Sequence, residues 1–310
     1  TGAVIRSGGD LTLTARGEAD SEGNESALGG DLIRLGSLEV VGEDGEASSV
    51  AVARALMFDL PAASVLKVDA AGDVNLERLS REVRNGVPTG EASTLRTGGI
   101  HAGGDLTLKV SDGNLIASGR AADRDAIHLS GQAVSLDVID TPASTFTSVA
   151  IGDRLTPLVI DADTLQARTR TAGGSVIALR DIDDLVIDGP GWQGTDLKGN
   201  AVLVPGGLRI AYDGSMLIRA EGSLAVRGLV EMSFDPRGTV LLEALDGDLE
   251  LDGGSVLMGS GALSLLASGD IIQRGVSTIN NPNSFSDALG SIDIEAGGRF
   301  IQEATSRVAT

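Results

Sequence analysis

A five-residue unit recurs along this chain: a glycine, a small polar residue, then an apolar residue, any residue and a second apolar one. It reads Gly9-Asp10-Leu11-Thr12-Leu13, Gly72-Asp73-Val74-Asn75-Leu76 and Gly104-Asp105-Leu106-Thr107-Leu108. It returns as Gly222-Ser223-Leu224-Ala225-Val226, Gly247-Asp248-Leu249-Glu250-Leu251, Gly261-Ala262-Leu263-Ser264-Leu265 and Gly290-Ser291-Ile292-Asp293-Ile294. Between Gly238 and Gly269 the units begin at 238, 247, 254, 261 and 269, steps too short for helices with their connections. Within a unit the apolar residues alternate, as in Leu11 and Leu13 against Thr12 and Thr14, which is the period of a half-buried strand. Glycine suits the corners because it has no Cβ to clash, and Asp or Ser can bond the turn backbone.

An antiparallel meander would need two-residue Asn-Gly or Asp-Gly hairpins, and those are few. Three consecutive units instead sum to about 22–24 residues, one rung of a three-faced coil. The expectation is therefore all-β: a right-handed parallel β-helix, or β-solenoid, with about three short strands per rung. It would run as a single continuous segment over residues 1–310, with about thirteen rungs stacked at ~4.8 Å into a rod of ~6 nm. Aromatic residues make up only 2% of the chain, so the interior must be built from Leu, Val, Ile and Ala. Irregular loop insertions interrupt the rhythm at Gly42–Ser49, Arg78–Thr97, Asp140–Asp163, Pro190–Asn200 and Gly275–Ala288. Both ends, Ala3-Val4-Ile5 and Arg299-Phe300-Ile301, read as ordinary strands without polar caps. That pattern, with a first residue other than Met, suggests part of a longer chain or filament.

The net charge is −20, from 24 basic and 44 acidic residues. Such a surface repels phosphate backbones and anionic lipid, so nucleic acid and membrane insertion are not expected as partners. No apolar run approaches the roughly 18–20 residues of a membrane span. Cysteine is absent, which excludes disulfides and thiolate chemistry and suits export of an unfolded chain.

The stretch Gly103-Gly104-Asp105-Leu106-Thr107-Leu108, followed by Asp112-Gly113-Asn114-Leu115-Ile116, resembles the repeats of bacterial filamentous-haemagglutinin-like exoproteins. Gly8-Gly9-Asp10-Leu11-Thr12-Leu13-Thr14-Ala15 is closer still. The resemblance covers most of the chain in rhythm and only scattered pentapeptides in letters. It implies a secreted adhesin at the bacterial cell surface, extracellular, acting in attachment. One departure stands out: the Asn-Pro-Asn element that the family carries near its amino terminus occurs here as Asn281-Pro282-Asn283, which reads as a turn.

Candidate chemistry is sparse. Asp161, Asp163, Asp181, Asp183, Asp184 and Asp188 could supply hard oxygen ligands to calcium, although alternating carboxylates on a strand more simply face water. Neither an EF-hand spacing nor a calcium β-roll nonapeptide accompanies them. His101 and His128 are too few and isolated for a zinc centre and read as exposed or turn residues. No catalytic group, other metal or organic cofactor is expected. Asp123-Arg124-Asp125 and Arg180-Asp181 are the neighbours that a polysaccharide-active enzyme would need, but the scarcity of aromatic platforms weighs against one. Trp192 in Gly189-Pro190-Gly191-Trp192-Gln193-Gly194 is a candidate contact-loop anchor, with packing over a rung end as the plainer reading. Asn24-Glu25-Ser26 is a formal glycosylation sequon.

The functional expectation is a structural and adhesive rod mediating cell–cell, surface or matrix attachment. Its partners would be other cells, extracellular matrix or glycans, or neighbouring copies end to end. The alternatives are a self-assembling subunit of an extracellular fibre or sheath, and a β-helix enzyme acting on polysaccharide.

Overall fold

A computed structural model describes residues 4–6, 10–15, 34–41, 47–59, 64–78, 83–84, 87–88, 94–111, 113–120, 123, 126–139, 149–171, 174–195, 201–210, 214–232, 238–258, 261–280 and 291–309. The elements are β-strands, and no α-helix occurs among the described residues. One sheet of 26 strands takes in strands from Val4–Arg6 to Arg307–Ala309, and its pairings are parallel.

Each strand of the carboxyl-terminal half pairs with the strand third along the chain, which gives three columns. One column stacks Gly207–Ile210, Leu229–Met232, Ser255–Met258, Thr278–Asn280 and Arg307–Ala309. A second stacks Gly214–Ala220, Thr239–Ala244, Ala262–Ala267 and Ser291–Ala296. The third stacks Leu224–Val226, Leu249–Asp252, Ile271–Arg274 and Phe300–Gln302. The register sets aliphatic side chains in line, Met216 under Val240, Leu263 and Ile292, and Ile218 under Leu242, Leu265 and Ile294. Alternate residues turn inward: Val240, Leu242 and Ala244 are buried while Thr239 faces out. The inward side chains of all three columns join one core cluster of Leu, Val, Ile, Ala and Met, with Phe58 at its amino-terminal end. Burying those branched aliphatics is the main stabilising term.

The corners explain the sequence unit. Asp73 Oδ1 accepts the N–H of Asp105 at 2.9 Å, and Asp105 Oδ1 accepts the N–H of Ala133 at 3.2 Å. The series resumes as Asp184 to Ser223, Asp248 to Asp270 and Asp270 to Arg299, at 2.6, 2.6 and 2.8 Å. A backbone N–H at a corner has lost its strand partner, so each carboxylate satisfies the donor of the next layer. A Cβ on Gly104, Gly222, Gly269 or Gly298 would overlap the Oδ1 of Asp73, Asp184, Asp248 or Asp270. Glycine and aspartate are thus a coupled pair across layers: one vacates the space that the other's carboxylate fills.

Several expectations change. The longest column stacks eleven strands among the described residues, from Val4–Arg6 to Arg307–Ala309, against about thirteen rungs expected. Residues spent in hairpins account for part of the difference. Arg34–Val41 pairs antiparallel with Ala47–Arg54, and Trp192–Thr195 with Ala201–Val204. Conversely, Asp140–Asp163 is not one loop, because Val149–Ile151 and Leu158–Arg170 both carry parallel register. Thr278–Asn280 likewise belongs to a column, not to the insertion expected over 275–288. Asn24 and Asn281-Pro282-Asn283 lie outside the described residues.

Candidate functional site

A cleft of about 470 Å³ opens on the outside of the strand stack. Its floor is apolar, made by Ile116 and Ala117 from the strand Leu115–Ala117 and by Pro157 and Val159. Arg96 from Leu95–Ala102, Arg120 and Arg180 from Ser175–Asp181 bring three guanidinium groups to its walls. Asp123, His128, Asp153 and Thr156 complete the lining.

One wall is a hydrogen-bonded network drawn from distant parts of the chain. Arg120 donates through Nη1 and Nη2 to the two oxygens of Asp10, at 2.7 and 3.0 Å. Lys67 Nζ donates to Asp123 Oδ1 at 2.8 Å, and Ser118 Oγ donates to Asp123 Oδ2 at 2.6 Å. The Arg120 N–H returns to Ser118 Oγ, which closes the turn. Lys67 and then Ser118 hold the Asp123 carboxyl below the usual carboxylate range, and Arg120 with the Val65 N–H does the same for Asp10. Both stay ionised at neutral pH.

His128 is 3% exposed, so the exposed position expected from the sequence is corrected. Its Nδ1 accepts the N–H of Val159 at 2.9 Å, which places the ring proton on Nε2. Burial lowers its pKa and keeps the ring neutral. The opposite wall is a short turn that begins at Gly152, whose φ of 75° and close approach to the Ala178 carbonyl both require glycine. Asp153 and Thr156 exchange backbone bonds, Asp153 Oδ1 caps the Leu155 N–H at 2.8 Å, and the Leu155 side chain stands 92% exposed. With Asp123 bonded at both oxygens and His128 occupied at Nδ1, the lining offers fixed charges and donors suited to holding an anion.

The sequence candidates are dispersed. Asp161 and Asp163 border a separate depression of about 220 Å³ with Ser130, Gly131 and Gln132. Asp184 caps Ser223, and Asp188 Oδ1 accepts the Gly189 N–H at 2.7 Å. Asp181 is wholly buried, its oxygens accepting the N–H groups of Ala162 and Asp183. Burial, with the adjacent Asp183 carboxylate adding to it, pushes the Asp181 carboxyl up to about 8. Among the described residues no three acidic or histidine side chains converge on a metal position. Arg180 and Asp181 do not form a pair, because successive strand residues face opposite sides: Arg180 binds Glu221 while Asp181 points inward. Arg124 and Asp125 lie outside the described residues.

Trp192 is 7% exposed, so its ring is packed and not presented for contact. Arg168 lies over it, Cζ 4.7 Å from the ring centroid, and is itself held by Asp137 through two bonds of 2.9 and 2.8 Å. Gln166 accepts the Gly191 N–H at 3.1 Å, which fixes the base of the hairpin.

The sequence reading missed Arg96 and Arg120 altogether. Nothing in their local sequence marks them, since the register of the columns alone brings residues 10, 96, 120 and 180 into one neighbourhood. No protein-family model, curated protein or solved structure matches this chain.

Proposed function

We propose that this chain is a right-handed parallel β-helix, three strands to the rung, forming a stiff rod in a secreted bacterial surface protein. The observation that carries the reading is the register of the second column, in which Ser215, Thr239 and Ala262 stack at steps of 24 and 23 residues. A coil of that period suits a spacer, because each layer needs only its neighbours and length is added without redesign of a core. Right-handed connection is the rule for parallel strands joined within one sheet. The net charge of −20 keeps rods apart and soluble. The resemblance of Gly103–Leu108 to filamentous-haemagglutinin-like repeats supports attachment to cells, matrix or glycans as the task. Affinity would arise from many weak contacts.

Small-angle scattering on the purified chain tests the rod: eleven layers at ~4.8 Å predict a particle about 5 nm long. A compact globular profile would overturn it. Binding of the labelled chain to bacterial cells or matrix tests the adhesive task, and equal retention of an unrelated acidic protein would sink that.

A second reading is a fibre subunit. It rests on the parallel pairing of the columns, a mode of addition by which one copy's layer extends another's in the same register. Particles that lengthen with concentration would support it.

A further inference from the structure

We propose that the 470 Å³ cleft binds a small carboxylate-bearing organic acid, of the size of one or two uronic-acid rings. The first ground is charge. Of the three arginines in the lining, Arg120 is paired with Asp10 and Arg180 with Glu221, and Asp123 is paired with Lys67, so among the described residues Arg96 is the guanidinium left without a carboxylate partner, in a protein whose net charge is −20. A long polyanion is repelled by that surrounding field, whereas a short one meets the local arginines.

The second ground is which donors remain. Arg120 spends Nη1 and Nη2 on Asp10 and so serves as a wall. Arg180 spends Nε on Glu221, which fixes its guanidinium and leaves Nη1 and Nη2 for a ligand. Arg96 is half-buried, and among the described residues no carboxylate lies within ion-pair distance of it. A guanidinium pairs a carboxylate through two parallel bonds, so Arg96 is the residue that reads the acid group.

The third ground is the floor. Ile116, Ala117, Pro157 and Val159 give the lining apolar area beside the arginines, against which the carbon face of a ring can pack. Thr156 and Asp153 at the rim supply partners for ring hydroxyls. An anion without a body, such as sulfate, leaves that floor unused. The site stands independently of the rod reading, because a compact particle could carry the same cleft.

Isothermal titration of the intact chain at low ionic strength, with glucuronate and a digalacturonate as probes and glucose and inorganic sulfate as controls, is the test. Saturable uronate binding is expected, without response to glucose, and weaker as salt is raised. R96A should weaken it about tenfold or more, and R180A by a smaller factor, with the thermal unfolding of both variants unchanged. Absence of uronate binding at about 10 mM, the millimolar range being weak but measurable, would overturn the proposal. So would equal affinity in R96A and the parent chain. Sulfate binding as tightly as uronate would also overturn it, since the floor would then have no part in recognition.

Discussion

Asp248 Oδ1 stands where a β-carbon on Gly269 would lie, and from that point it accepts the Asp270 N–H at 2.6 Å. The two residues are 21 positions apart in sequence and act as one part. G269A therefore forces the carboxylate and the nearby Gly247 carbonyl to shift, and it should destabilise the fold by about 2–3 kcal/mol. D248A removes an acceptor and should cost about 1 kcal/mol. In the double variant the clash with the carboxylate is gone, so the two losses should sum to less than their separate values. Urea unfolding of the four proteins measures the coupling. Strict additivity would mean the pair does not act across layers.

Asp123 ties Ser118 to Lys67, and its carboxyl is held low by that lysine and by Ser118. A lowered carboxyl stabilises the fold above its ordinary range and loses that contribution as pH falls through the folded value. D123N should cost about 1 kcal/mol at neutral pH, a modest figure because Lys67 is half in solvent. The difference between D123N and the parent should shrink below about pH 4. Unfolding curves at pH 7 and pH 3 check this, and a gap that stays constant would refute it.

The strand units were legible because glycine, aspartate and alternating aliphatics each reflect a local requirement. Leu249 and Leu251 must face in, and Asp248 must reach the next layer's N–H. Parallel stacking was legible from the spacing, since hairpin turns were missing where an antiparallel sheet would need them. The cleft was not. Arg96, Arg120 and Arg180 come together through the register of Leu95–Ala102, Leu115–Ala117 and Ser175–Asp181, and that register passes through insertions whose lengths carry no period. Asp181 was misread for a related reason: its phase within Ser175–Asp181 decides that it faces inward, and a run of acids hides the phase.

Trp192 is the only tryptophan, so its fluorescence reports on one hairpin. Arg168 and the buried setting hold the indole away from water. R168A should shift the emission to longer wavelength and leave Asp137 with Arg170 as its remaining partner, 3.3 Å away. R168K keeps the charge but not the planar fork, and it should restore the spectrum only in part. An unchanged emission maximum in R168A would show that the guanidinium does not hold the ring in place.

Asp181 makes stability depend on pH in the opposite sense to Asp123. Its folded carboxyl lies at about 8 against an ordinary value of 3.8, so the folded state holds a proton that the unfolded chain releases. Stability from this group is complete below about pH 4 and is lost as pH rises toward 8. At pH 9 the folded chain must carry a buried carboxylate beside Asp183, a cost of several kcal/mol. D181N replaces the acid with a neutral amide that accepts one of the N–H groups of Ala162 and Asp183 and can donate to the Asp183 carboxylate. Loss of one acceptor makes the variant less stable at pH 5, while the missing charge makes its stability fall less steeply between pH 5 and 9. The growing net charge of the whole protein destabilises both alike, so the difference in slope isolates this one residue. Urea midpoints measured across that range decide the matter, and parallel slopes would mean that Asp181 is ionised in the folded chain at neutral pH.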